Sequence, residues 1–204
     1  MVLRARLTGL ACALACALCG VAPARADLET ALEQLERGDF ARALPELQAL
    51  AGAGDVRARD TLAGLYLKGV GVERDVTEAM GWYCLIAHER RGGPQVMRAV
   101  WFLAEYFRTG GGVPGPGYAD GRPENENPLR AYFWFSVMAA QQRLYERVDE
   151  RSVILGKIGA NALGGVLLEE EKVALGEALG RWRPTRPVAS AAACLDLPDG
   201  LVTP

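Results

Sequence analysis

Two stretches of the chain repeat each other, and that repeat restricts the fold more than any other feature. The first reads Leu62-Ala-Gly-Leu-Tyr66, Gly69-Val-Gly71-Val72 and Asp75, then Ala79, Trp82, Tyr83 and Ala87. The second reads Phe102-Leu-Ala-Glu-Tyr106, then Gly110-Gly-Gly112-Val113, and after an interruption Asn127, Ala131, Trp134, Phe135 and Ala139. The later residues of each fall at i, i+3, i+4 and i+8, the stripe of a helix that buries one face. A recurring helix pair cannot cover its own apolar face, so its neighbours must stack against it. The expected fold is all-α, an α/α superhelical solenoid of about three to four antiparallel helix pairs.

The punctuation agrees. Strict apolar/polar alternation is missing, and nearly everything from Asp27 to Trp182 reads as helix. Helices are expected over Leu28–Arg37, Phe40–Leu50, from Asp55 to about Lys68, and from Asp75 to the Gly92-Gly93 break. Further ones follow over Pro94–Arg108, after the Asn127-Pro128 cap, over about Tyr145–Ala162, and over Glu169–Trp182. Pro45 falls inside the second helix and is expected to kink it. Residues 110–126 form a Gly/Pro-rich insertion, longer than an ordinary helix connection. It is either a recognition loop or a solvated elaboration.

The ends read differently. Arg4 and Arg6 precede the apolar stretch Leu7–Ala22, and Ala24-Arg-Ala26 gives a small-x-small cleavage pattern. Residues 1–26 are therefore expected to be a cleaved signal peptide, with 27–182 the helical domain and 183–204 a flexible tail. The apolar stretch is short for a membrane span, so an uncleaved anchor is the weaker alternative. With Arg4, Arg6 and Arg25 gone from 23 basic residues, 20 remain against 25 acidic ones. Such a balance argues against nucleic acid as a partner. Export leaves two of the five cysteines, Cys84 and Cys194, which can pair in an oxidising compartment.

The residues Ala58, Leu62, Tyr66, Gly69, Gly71, Val72, Asp75, Ala79, Trp82, Tyr83, Ala87 and Gly92 resemble the pattern of the Sel-1-like repeat family. That family is a tetratricopeptide-like class of helix pairs. Arg37-Gly-Asp-Phe-Ala-Arg-Ala-Leu44 looks like the short entry half-repeat of exported members. On this reading 57–92 is a near-consensus repeat. The repeat over 94–142 is degenerate: Arg98 stands in place of the small Ala, Leu103 in place of Gly, and the turn carries one extra residue. Tyr106, Ala131, Trp134, Phe135 and Ala139 still mark it.

The resemblance implies a non-catalytic interaction scaffold, periplasmic or secreted and bacterial, with no cofactor and no metal. Its partner would be another protein or a peptide segment. That segment would lie on the concave face lined by the first helix of each pair. Arg57, Thr61, Lys68, Met97, Trp101, Glu105 and Arg108 are the expected outward positions there. Two other functions are kept. Cysteine-rich exported relatives are associated with β-lactam binding or hydrolysis, but this chain lacks their cysteine pairs and any Ser-x-x-Lys motif. A cell-envelope or exopolysaccharide assembly factor would differ in partner only.

His88, the single histidine, has no nucleophile or acid signature around it. It falls near a helix C-terminus, where a histidine is favourable without any function. Trp101, Tyr132 and Phe133 lie off the packing stripe, and either line a peptide surface or pack against the insertion or the terminal helices.

Overall fold

The computed structural model describes residues 27–112, 121 and 126–184. The expected signal peptide, most of the insertion, and the tail from 185 onward lie outside the described residues. The described residues form nine helices and no strand. We label them α1 (Leu28–Glu36), α2 (Phe40–Gly52), α3 (Val56–Lys68), α4 (Val76–Ala87) and α5 (Pro94–Arg108). After the insertion come α6 (Pro128–Ala139), the single turn α7 (Gln141–Leu144), α8 (Glu150–Gly164) and α9 (Glu169–Arg181). Packing is sequential: α1 on α2, α2 on α3, and so on to α6, then α8 and α9 both on α6. The chain is an all-α solenoid of stacked helix pairs.

Three second helices repeat one local design. Each opens on a side-chain cap that accepts from the amide three residues on: Asp39 from Arg42, Asp75 from Glu78, and Asn127 from Arg130. That bond satisfies an otherwise orphaned donor of the first turn. Each then buries a small residue in the first turn, Ala43, Ala79 or Ala131, where helices approach closely. Next comes a large buried residue, Leu47, Tyr83 or Phe135. Tyr66 and Trp82 touch both apolar clusters of the domain and join the first pair to the rest. Pro45 sits within α2 without ending it.

The first helices repeat too, but in a register that Tyr66 and Tyr106 disguise. The amide of Asp75 donates to the carbonyl of Tyr66 at 3.0 Å, and the amide of Asn127 donates to that of Phe107 at 2.8 Å. Val70 likewise donates to Leu65, and Gly111 to Tyr106. In this register Ala58 matches Ala99, Leu62 matches Leu103, and Ala63 matches Ala104, all fully buried. Arg98 therefore replaces no small residue. It matches Arg57, and the second copy is regular, without an extra residue in its turn. The expected substitutions at 98 and 103 came from pairing the two tyrosines rather than the two buried faces.

The C-terminal part departs further from expectation. Tyr145 does not begin a helix: it is extended and buried, and its hydroxyl donates to the Ala87 carbonyl at 2.8 Å. The eighth helix starts five residues later, capped by Asp149. Gly156 sets its distance from α6, since a Cβ there would lie 2.5 Å from the Ala139 nitrogen. α9 ends in Trp182, whose ring meets His88, Phe133, Trp134 and Tyr145 edge-on. Pro184 is also buried, so the packed body extends past 182.

Candidate functional site

The first helices lie side by side and are linked by ion pairs. Arg57 of α3 reaches Glu29 of α1 at 2.8 Å, and Arg98 of α5 reaches Asp60 of α3. Arg57 and Arg98 are equivalent, so these are two rungs of one ladder. Exposed rungs stabilise little, about 0.2–1 kcal/mol each. Their use is to mark the face. In the register of α3 and α5, the position of Asp60 is taken in α5 by Trp101. The next rung has no acid.

A notch opens at that break. It has a volume of about 250 Å³ between α5 and α8, and Met97, Arg98, Trp101 and Leu155 are among its lining residues. Trp101 is half-buried and leans on Phe102 at 5.1 Å. Leu155 is 51% exposed, and Ile154 and Ile158 beside it are similarly open. At the notch's edge Asp149 caps α8 and accepts from the Ser152 hydroxyl at 2.5 Å. The apolar wall thus has fixed polar groups at its rim, the composition of a recognition surface.

A second, larger cavity of about 670 Å³ adjoins it, sharing the first turn of α5. Arg57, Arg91 and Arg147 line it, with Asp55, Glu89 and Gln95. Backbone pairing sets two of these arginines side by side. Gly92 bridges to Arg147, and the Arg147 amide donates to the Arg91 carbonyl at 3.1 Å. Only glycine fits at 92, where φ is +66° and a Cβ would lie 2.6 Å from the Arg147 oxygen.

The seven expected outward positions divide. Arg57, Met97 and Trp101 line the two cavities. Met97 does so from within the core, at 1% exposure, so it is not an outward position. Glu105 is not outward either; at 8% exposure it holds Arg108 at 2.5 Å, and this bond raises the Arg108 pKa. Both follow from the register, which turns the face carrying them inward. The Thr61 hydroxyl is spent on the Arg57 carbonyl at 2.9 Å. Lys68 is exposed at the far end of α3. Sequence reasoning missed Arg91, Arg147 and Leu155. Loop arginines carry no periodic signal, and Leu155 belongs to a helix whose start had been placed too early.

His88 caps α4, its Nδ1 donating to the Cys84 carbonyl at 2.9 Å. Burial, with Trp182 edge-on to the ring, lowers its pKa below the ordinary value and disfavours the cation, so His88 sits at the helix end as a buried structural residue. Phe133 and Tyr132 pack inward, Phe133 against Trp182, as the terminal-helix alternative required. Cys84 is buried and disulfide-bonded, while Cys194, its expected partner, lies outside the described residues. Among the described residues no helix is long and apolar enough to cross a membrane, and no cluster of His, Cys, Asp and Glu could hold a metal ion. Compared with protein-family models, curated proteins and solved structures, the chain matches none.

Proposed function

We propose that the chain is a non-catalytic interaction scaffold, a Sel-1-like solenoid of the bacterial periplasm, that holds a segment of a partner protein along α3, α5 and α8. One observation carries this reading. The face formed by the first helices is closed by arginine–acid rungs until Trp101 replaces the acid, and there an apolar notch opens. A half-buried tryptophan beside open leucine and isoleucine side chains is the usual make-up of a binding hot spot. The solenoid supplies rigidity, so little ordering cost attaches to the receiving surface.

The test is photo-crosslinking in the native cell. A benzophenone amino acid at position 101 should capture one discrete partner, whereas the same residue at exposed Thr77 of α4 should capture none. An empty lane at 101, or equal capture at both positions, would sink the proposal.

A further inference from the structure

The mature chain has more acids than bases, yet the cavity beside the notch runs the other way. Three guanidinium groups line it. Arg57 is engaged by Glu29, but Arg91 and Arg147 form no ion pair among the described residues. The two carboxylates of the cavity, Asp55 and Glu89, leave its lining one positive charge in excess, three against two. Asp55 caps α3 through the amides of Arg57 and Ala58, and Glu89 accepts from the Arg91 amide at 3.4 Å. The loops carrying Arg91 and Arg147 are fastened together by backbone bonds, so the two like charges leave neighbouring backbone positions on one wall of the cavity and repel each other. An anion seated between them would relieve that repulsion and take charge-assisted hydrogen bonds from two planar forks. The apolar notch lies on the same first turn of α5, so one extended ligand can occupy both.

Resting on the scaffold reading, we infer that the partner is an acidic polypeptide segment. An apolar side chain fills the notch at Trp101, and neighbouring carboxylates lie between Arg91 and Arg147. The arginines select the segment by charge and speed its arrival; the notch holds it.

Three fluorescein-labelled octapeptides test this by anisotropy. Each has one leucine, followed by three glutamates, three lysines or three serines. The glutamate peptide should bind most tightly, with an affinity that falls as salt rises. Arg91→Glu combined with Arg147→Glu, both exposed and outside the core, should reverse the order in favour of the lysine peptide. Trp101→Ala should weaken the glutamate peptide about tenfold while leaving the order intact. The inference is overturned if the glutamate peptide shows no saturable binding, or if the charge reversal leaves the order unchanged. It also falls if pyrophosphate displaces the glutamate peptide and Trp101→Ala has no effect, since the cavity is then a small-anion site. Capture at position 101 that survives the charge reversal would retain the scaffold and discard the acidic partner. Loss of capture in the parent protein would discard the scaffold itself.

Discussion

Trp182 stands edge-on to the imidazole of His88, with ring centroids 5.4 Å apart. Through this contact the last helix closes over the C-terminus of α4, and Phe133, Trp134 and Tyr145 complete the ring of neighbours. A solenoid needs such an end, because its last pair has no further neighbour to cover its apolar face.

Trp182→Ala should therefore cost about 3–5 kcal/mol, the range for deleting a buried aromatic side chain. Urea unfolding followed by circular dichroism measures it. A loss below about 1 kcal/mol would mean that α9 is not needed to close the domain.

The neutral state of His88 makes stability depend on pH. Burial disfavours the imidazolium, so the folded chain binds this proton less readily than the unfolded chain. The contribution is complete above the ordinary value of 6.5 and is lost as pH falls from there toward the lowered value. Melting temperature should drop over that window in the parent protein and stay flatter in His88→Gln. Parallel curves for the two proteins would refute the assignment.

Glycine positions in the late helices should respond in opposite directions. Gly156→Ala drives a methyl into the backbone of Ala139 and Phe135, and should cost about 1–3 kcal/mol. Gly176→Ala, in α9 with nothing within 4 Å, should stabilise by about 0.5–1 kcal/mol. Thermal melts of the two variants decide it; equal shifts would contradict the packing of α8 on α6.

Non-reducing peptide mapping should show Cys84 joined to Cys194, the one other cysteine outside the expected signal peptide. Reduction should cost about 2–4 kcal/mol, as for a typical bridge. Finding Cys84 as a free thiol in protein isolated under oxidising conditions would rule the bond out.

A weak double-mutant coupling is expected between Asp60 and Arg98, about 0.2–1 kcal/mol in low salt. Urea unfolding of the two single variants and the double variant gives it. A coupling above about 2 kcal/mol would show that the rungs hold the solenoid together rather than mark its face.

Much of the solenoid was legible in the chain. The stripes at Ala79–Ala87 and Ala131–Ala139 state which face is buried, and Asp39, Asp75 and Asn127 state where each second helix starts. These are local signals, written in spacing and capping chemistry. The pairing of Ala58 with Ala99 was harder to see. Two neighbouring aromatics, Tyr106 and Phe107, compete to match Tyr66, and only the backbone hydrogen bonds of the two turns, with the buried alanines and leucines behind them, decide between them.

The site was less legible. Trp101 stood out as an aromatic off the stripe, but its meaning came from the rung it interrupts, and that rung joins residues of separate helices. Arg91 and Arg147 lie 56 positions apart and meet only because two loops pair their backbones. The sequence by itself determined the helices, their caps and the faces they bury, because these depend on residues within one or two turns of each other. Only the tertiary structure decided the register between repeats, the closure by Trp182 and the meeting of the notch with the arginines. Each of those is a contact between segments that local chemistry leaves free to meet or miss.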